Sequence, residues 1–321
     1  MLKRDISLAK FSNYRIGGNA RYFFEANSLP QLKKAIIHAR EIDLSIFVLG
    51  GGTNILFSDS GFDGVVIKPN LNFIKTTFQH SQECWNVVVG AGTLMSDILN
   101  YTVKEGLSGL EWAGGLPGTL GGAIRGNAGC FGGEIKDNLL LVKVLEIPSK
   151  STRQNLLKFK VIKFTNKECK FAYRNSIFKK NNKYIILEAT LKLKKGDKKL
   201  IKKAIQEKIN YRKEKHPLEY PNIGSIFKNV PVSSVQKNNK KVQQFIKDDF
   251  FPVLHTARLI SEVGLRGVSY GGAMISPKHP NFIVNVQGAT SGDVQNLIWL
   301  AKNKVKDKFG IDLEEEVIIL L

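Results

Sequence analysis

Cysteine is scarce in this 321-residue chain: Cys84, Cys130 and Cys169 are the only three. They form no CxxC pair and no even set, so neither a disulfide scaffold nor a zinc site has support. No metal is expected, and a reducing cytoplasm is the expected location. Long hydrophobic runs are missing too. No window approaches the roughly 20 apolar residues of a spanning helix. The N-terminal stretch has basic residues, but Asp5, Ser7 and Lys10 interrupt it and leave no apolar signal core. A soluble, unexported protein with no membrane partner is predicted. Two common nucleotide motifs are also absent. Gly50-Gly51-Gly52-Thr53-Asn54 lacks the lysine and hydroxyl residue of a Walker loop, and Gly90-Ala91-Gly92 lacks the third Rossmann glycine.

Acidic residues are the next shortage, with 28 Asp and Glu against 48 Lys and Arg and a formal net charge of +20. Such an excess favours polyanionic partners: nucleic acid, an anionic membrane surface or phosphorylated small molecules. Charge alone does not choose among them, and lysine with abundant asparagine also reflects an AT-rich genome. A single-strand nucleic-acid binder interleaves aromatics with its basic residues, yet the lysine-rich stretch 192–215 contains Tyr211 alone. The lysines read as a solvated face, and no nucleic-acid partner is expected.

With 43% hydrophobic residues the chain can bury a substantial core across two or three domains. Apolar Leu32, Ala35, Ile36 and Ala39 predict a helix over 29–42, leading into a strand at 45–49 and another at 64–68. Strands are predicted at 85–92, 141–147 and 184–193, with a helix at 94–105. A lysine-rich turn at 194–199 begins a helix with Leu200, Ile201, Ala204, Ile205, Lys208 and Ile209 on its repeating face. This places a boundary after 195 and gives three parts, 1–74, 75–195 and 196–321. The last closes with a helix at 291–308 and a strand at 317–321, and it holds a polar insertion around Asn238-Asn239-Lys240-Lys241.

Two glycine runs carry the chemistry. Three glycines after a strand let backbone N–H groups converge on phosphate oxygens, although the 50–54 run alone fits an ordinary tight turn equally well. The run from Gly114 to Gly129 is more specific. So many glycines in apolar surroundings cost chain entropy, and the reading is that something flat and wide approaches that backbone. A hydroxyl in Gly224-Ser225-Ile226-Phe227-Lys228-Asn229, a guanidinium in Tyr173-Arg174-Asn175-Ser176 and a carboxylate in Leu313-Glu314-Glu315-Glu316-Val317 complete the set. Brought onto one substrate carboxylate, they supply protonation and charge stabilisation.

From Asn13-Tyr14-Arg15-Ile16-Gly17-Gly18 to Glu316, these motifs resemble the UDP-N-acetylenolpyruvoylglucosamine reductase (MurB) family, in its shorter type II form. The resemblance implies an α+β fold: a two-lobed FAD-binding domain of the vanillyl-alcohol-oxidase/PCMH type, with lobes 1–74 and 75–195, and a C-terminal α/β substrate-binding domain, 196–321. It implies noncovalent FAD held by Gly50, Gly51, Gly52, Thr53, Asn54, Gly115, Pro117, Gly118, Thr119, Gly121, Gly122, Asn127, Ala128 and Gly129. NADPH is the implied cosubstrate and a UDP-sugar the substrate, bound by Tyr173, Lys215 and Asn229. Arg174, Ser225 and Glu316 are the implied catalytic residues. The arginine and a protonated or proton-sharing glutamate sit at the substrate carboxylate, and the serine delivers the proton. A monomer is expected. Glu315 stands where the family pattern has proline, and 230–256 is longer than the usual link. His279-Pro280-Asn281-Phe282 reads as architecture. An alcohol or lactone oxidase of the same fold often has histidine-linked flavin, and no histidine lies within the glycine-rich segments.

Overall fold

A computed structural model describes residues 2–78, 84–147, 158–235, 240–248 and 252–320. The chain groups into two compact units, one of 1–6, 20–51 and 63–211, the other of 7–19, 52–62 and 212–321.

The first unit contains a four-stranded sheet with Lys3–Ser7, Asn19–Ala26, Phe62–Pro69 and Ser45–Val48 in that spatial order. Ser45–Val48 and Phe62–Pro69 run parallel. The expected helix forms as Leu29–Glu41, because Ser28 caps Gln31 N–H, a proline sits in the first turn, and Leu32, Ala35, Ile36 and Ala39 share one buried stripe. That stripe packs on Val65 and Ile67 of the sheet.

A six-stranded sheet forms the larger part of this unit, with Tyr184–Lys195 lying between Leu139–Glu146 and Cys84–Gly90, both antiparallel to it. The Met95–Glu105 helix buries Met95, Ile98 and Leu99 in the associated core and ends on Gly106 in the left-handed conformation. The lysine-rich helix spans Lys198–Lys215, and Ile201 and Ile205 enter the same core. Leu200 differs from the sequence reading. It is 67% exposed, because a stripe narrowed to i and i+4 leaves the preceding position facing out.

The second unit has its own core around Phe227, Leu259, Ile260, Val294, Leu297 and Val305. Its Ser291–Phe309 helix starts in a capping box between Thr290 and Asp293 and ends on left-handed Gly310. Ile318–Leu320 pairs in parallel with Ile55–Phe57, joining the C-terminal end to the segment after the first glycine run. The insertion is less polar than its sequence suggests. Val230–Pro231, Pro252–Leu254 and Ile246–Asp248 form a three-stranded sheet, and Val242, Val253 and Leu254 are buried beneath it. Asn238 and Asn239 lie outside the described residues.

Candidate active site

In the first unit the two glycine runs meet. A Cβ on Gly51 would lie 2.7 Å from Gly118 Cα, so only glycine permits that approach. Gly50 lies close to Thr119 as well, where a Cβ would stand 3.1 Å from Oγ1, a tight contact that a side chain can relieve. The second run is fastened from behind: Met95 N–H donates to Gly118 O at 3.0 Å, Leu120 N–H to Thr93 O at 2.9 Å and Gly121 N–H to Ala91 O at 2.9 Å. Thr119 caps the Leu120–Gly126 helix by accepting from Gly122 N–H. Gly115, Pro117 and Gly122 are exposed and Gly118 and Gly121 are half-buried, so the run presents backbone where most loops present side chains. These residues fit a wide planar group with a phosphate tail.

Asn127 does something its motif did not suggest. It is fully buried with φ 44°, donates from Nδ2 to Ala172 O at 3.1 Å and accepts at Oδ1 from Lys136 N–H at 3.2 Å. Its amide therefore ties the glycine run to the residue before Tyr173-Arg174. After Asn127, the Ala128 carbonyl takes Ile135 N–H, and Gly129 opens the short Gly129–Cys130 strand that pairs antiparallel with Gly133–Glu134. Arg174 is itself left-handed, φ 52°, with its guanidinium 5.2 Å from the Tyr173 ring centroid and Nε and Nη1 shut off from solvent. Lys179 donates to the Arg174 carbonyl at 3.2 Å. Arg174 is thus half-buried on a constrained backbone, with two of its guanidinium nitrogens inside.

In the second unit the segments that carry Ser225 and Glu316 pair through their backbones. The Ser225–Asn229 segment is clasped on both sides. On one, buried Asn281 takes Ile226 N–H on its backbone carbonyl at 2.8 Å and Phe227 N–H on Oδ1 at 3.0 Å, and returns Nδ2 to Phe227 O at 2.8 Å. On the other, Lys228 N–H donates to Glu314 O at 2.9 Å and Glu316 N–H to Ile226 O at 2.8 Å, around a bridge between Phe227 and Glu315. The residue in the proline position is thus fixed by contacts: Glu315 also takes the Lys302 ammonium at 2.8 Å. Glu314 pairs with Lys228.

Gly52 and Asn54 belong to this unit. A Cβ on Gly52, φ 65°, would strike Phe11 O at 1.8 Å, and the adjacent Gly52 carbonyl takes Asn13 N–H at 3.0 Å. Asn54 Nδ2 donates to Glu316 O at 3.2 Å, and half-buried Thr53 lies between Gly52 and Asn54. Asn229 Oδ1 accepts from Thr256 N–H at 3.3 Å, while Thr256 Oγ1 donates to Lys228 O at 2.5 Å, closing the insertion at its base. Lys215, at the end of its helix, is exposed and pairs with Glu214 at 2.6 Å.

His279 packs on Phe282 at 4.7 Å and on His216 at 5.4 Å between ring centroids. Burial brings both imidazoles down to about 4, with the cationic neighbours Arg212 and Lys278 adding to the effect at His216. Both are neutral at pH 7. Burial pushes the Cys169 thiol up to about 12, which leaves it unreactive. Among the described residues no cluster of His, Cys, Asp or Glu is placed to hold a metal ion, and no helix is long and apolar enough to cross a membrane. Thr256 and Lys302 are residues that motif reading missed, and Asn281, in a motif read as architecture, holds the serine segment. Each acts through a contact between distant segments, which leaves no local signature.

Comparison with known proteins gives a consistent result. Residues 216–320 match the family model "UDP-N-acetylenolpyruvoylglucosamine reductase, C-terminal domain", and residues 20–149 match "FAD binding domain". The UDP-N-acetylenolpyruvoylglucosamine reductase of Clostridium novyi is 34% identical over 99% of this chain and 92% of its own. That of Caldanaerobacter subterraneus is 36% identical over 98% and 91%. The crystal structure of the reductase MurB from Thermus caldophilus superposes with a TM-score of 0.73 at 28% identity, covering both chains completely.

Proposed function

Because this chain belongs to the UDP-N-acetylenolpyruvoylglucosamine reductase family, we propose how its own residues divide the work of that reaction. The protein is an FAD-dependent oxidoreductase that reduces UDP-N-acetylglucosamine enolpyruvate to UDP-N-acetylmuramate with NADPH, in peptidoglycan precursor synthesis. The chemistry FAD would supply when bound is hydride transfer, from NADPH to the methylene carbon of the enolpyruvyl group. The FAD holders are the glycine backbones of Gly50, Gly51, Gly52, Gly115, Gly118, Gly121, Gly122 and Gly129, with Thr53, Pro117, Thr119 and Ala128. Asn54 and Asn127 serve the same region as clamps.

Hydride arriving at the methylene carbon leaves an electron pair on the neighbouring carbon, delocalised into its carboxylate. Arg174 meets that carboxylate with a bidentate, charge-assisted pair. Glu316 shares a proton with it, since a second bare anion there would repel. Ser225 donates its hydroxyl proton to the carbon and completes the reduction. A serine hydroxyl is a weak acid, and the basicity of the carbanion provides the driving force. Tyr173 supports the guanidinium through its ring, while Lys215 and Asn229 receive the nucleotide diphosphate. Residues 1–74 and 75–195 act as the cofactor lobes and 196–321 as the substrate domain. The enzyme works as a cytoplasmic monomer, without nucleic acid or membrane.

One observation supports this reading above the others. Glu316 N–H donates to the carbonyl of Ile226, the residue after Ser225, across 90 positions of sequence, which supports a shared role for the two segments. The test is direct. NADPH added to the purified yellow protein should bleach the flavin, and the enolpyruvyl nucleotide should restore its colour without oxygen. Restoration by oxygen alone would favour an oxidase.

A further inference from the structure

Glu314, Glu315 and Glu316 are chemically identical neighbours, and one of them is assigned to the substrate carboxylate. Residue type cannot say which. Successive side chains of an extended segment point to opposite faces, so a slip of one position would offer Glu315 where Glu316 belongs. From Glu316 onward the chain is held by the Asn54 amide on Glu316 O and by the Ile318–Leu320 pairing; against the serine segment the backbone contacts are few: Lys228 N–H to Glu314 O, Glu316 N–H and Val317 N–H to Ile226 O, and one isolated bridge. A pairing this short is marginal by itself.

Two lysines distinguish the glutamates. Lys228, which lies on the serine segment itself, takes Glu314. Lys302 takes Glu315 at 2.8 Å from the Ser291–Phe309 helix, whose buried Ala301 and Val305 set it firmly in the core. We propose that Lys302 is a positioning residue for the reduction, acting through Glu315 to hold Glu316 in register with Ser225. The proposal rests on the roles given above to Ser225 and Glu316. The pair is partly exposed, at 39% and 28% for the two side chains, so its value to global stability is small. Its value is in selecting one of three equivalent carboxylates.

Lys302→Met is the test variant, with the charge swap Lys302→Glu/Glu315→Lys beside it. In Lys302→Met, amide exchange in peptide 312–317 should quicken severalfold with little change in Tm. Oxidation of the reduced enzyme by the enolpyruvyl nucleotide should slow about 3- to 10-fold, short of the ~100-fold that a full 1 Å misplacement costs. The step with NADPH should stay within about twofold, because Glu316 acts only at the nucleotide. The swap should recover most of the lost rate and protection, and salt should weaken both it and the native pair. Unchanged exchange and rate in Lys302→Met would overturn the proposal, as would a swap that recovers nothing. Ser225→Ala and Glu316→Gln are measured in parallel. If they slow the nucleotide step and Lys302→Met does not, the positioning role alone is lost. If neither slows it, the assignment of Ser225 and Glu316 falls as well.

Discussion

Asn54 donates its side-chain amide to the backbone carbonyl of Glu316 at 3.2 Å, linking the first glycine run to a residue 262 positions away. The contact sits beside the parallel pairing of Ile55–Phe57 with Ile318–Leu320, and Ile318 N–H returns to Asn54 O at 3.0 Å. A residue that sequence places with the cofactor is thereby also a support for the Glu316 backbone, the glutamate proposed to act at the substrate. Replacing Asn54 by leucine is expected to cost about 1 kcal/mol in urea unfolding. It should slow the nucleotide step more than the NADPH step. Loss of FAD without that kinetic difference would return Asn54 to cofactor binding alone.

Asn127 separates backbone from side-chain effects. Asn127→Ala loses two hydrogen bonds and places alanine at φ 44°, while Asn127→Gly loses the bonds only. The glycine variant is expected to lose about 2 kcal/mol and the alanine variant about 1 kcal/mol more. Equal losses in chemical denaturation would remove the backbone contribution.

At Lys215, alanine should raise KM for the nucleotide more than it lowers kcat. A diphosphate remote from the reacting carbon is held alike in the ground and transition states. An unchanged KM would leave Lys215 as one more exposed lysine paired to Glu214.

The histidine pair predicts a pH dependence of stability. His216 and His279 titrate at about 4 in the folded protein, below the ordinary 6.5, so the unfolded chain binds more protons between those values. Stability from this source is complete above about pH 6.5 and is lost as pH falls toward 4, by at most a few kcal/mol for the coupled pair. His279→Gln should flatten the dependence of the urea midpoint over that window. A variant with the full wild-type slope would assign the acid sensitivity to other groups.

The elements with strong local patterns were legible in the sequence. Leu32, Ala35, Ile36 and Ala39 gave the Leu29–Glu41 helix, and the lysine-rich helix appeared where its periodicity began, although Leu200 faces solvent. Periodicity reports a stripe but not its width. The glycine runs announced an exposed backbone, yet not that Gly51 must be glycine because Gly118 lies against it. Asn281 carried no chemistry in its motif, and only tertiary pairing reveals its hold on Ile226 and Phe227. The insertion misled for a related reason. Its polar residues are consecutive in sequence, whereas Val242 and Leu254 join one core only in the folded chain.

Stopped-flow comparison of the two half-reactions in Ser225→Ala tests the central claim most directly, because only one of them needs a proton delivered to carbon. NADPH should reduce the variant's flavin at a near-normal rate, while oxidation by the enolpyruvyl nucleotide should slow by at least the roughly 10²- to 10⁴-fold of a positioned general acid. A normal nucleotide step would contradict the account and remove Ser225 from the mechanism.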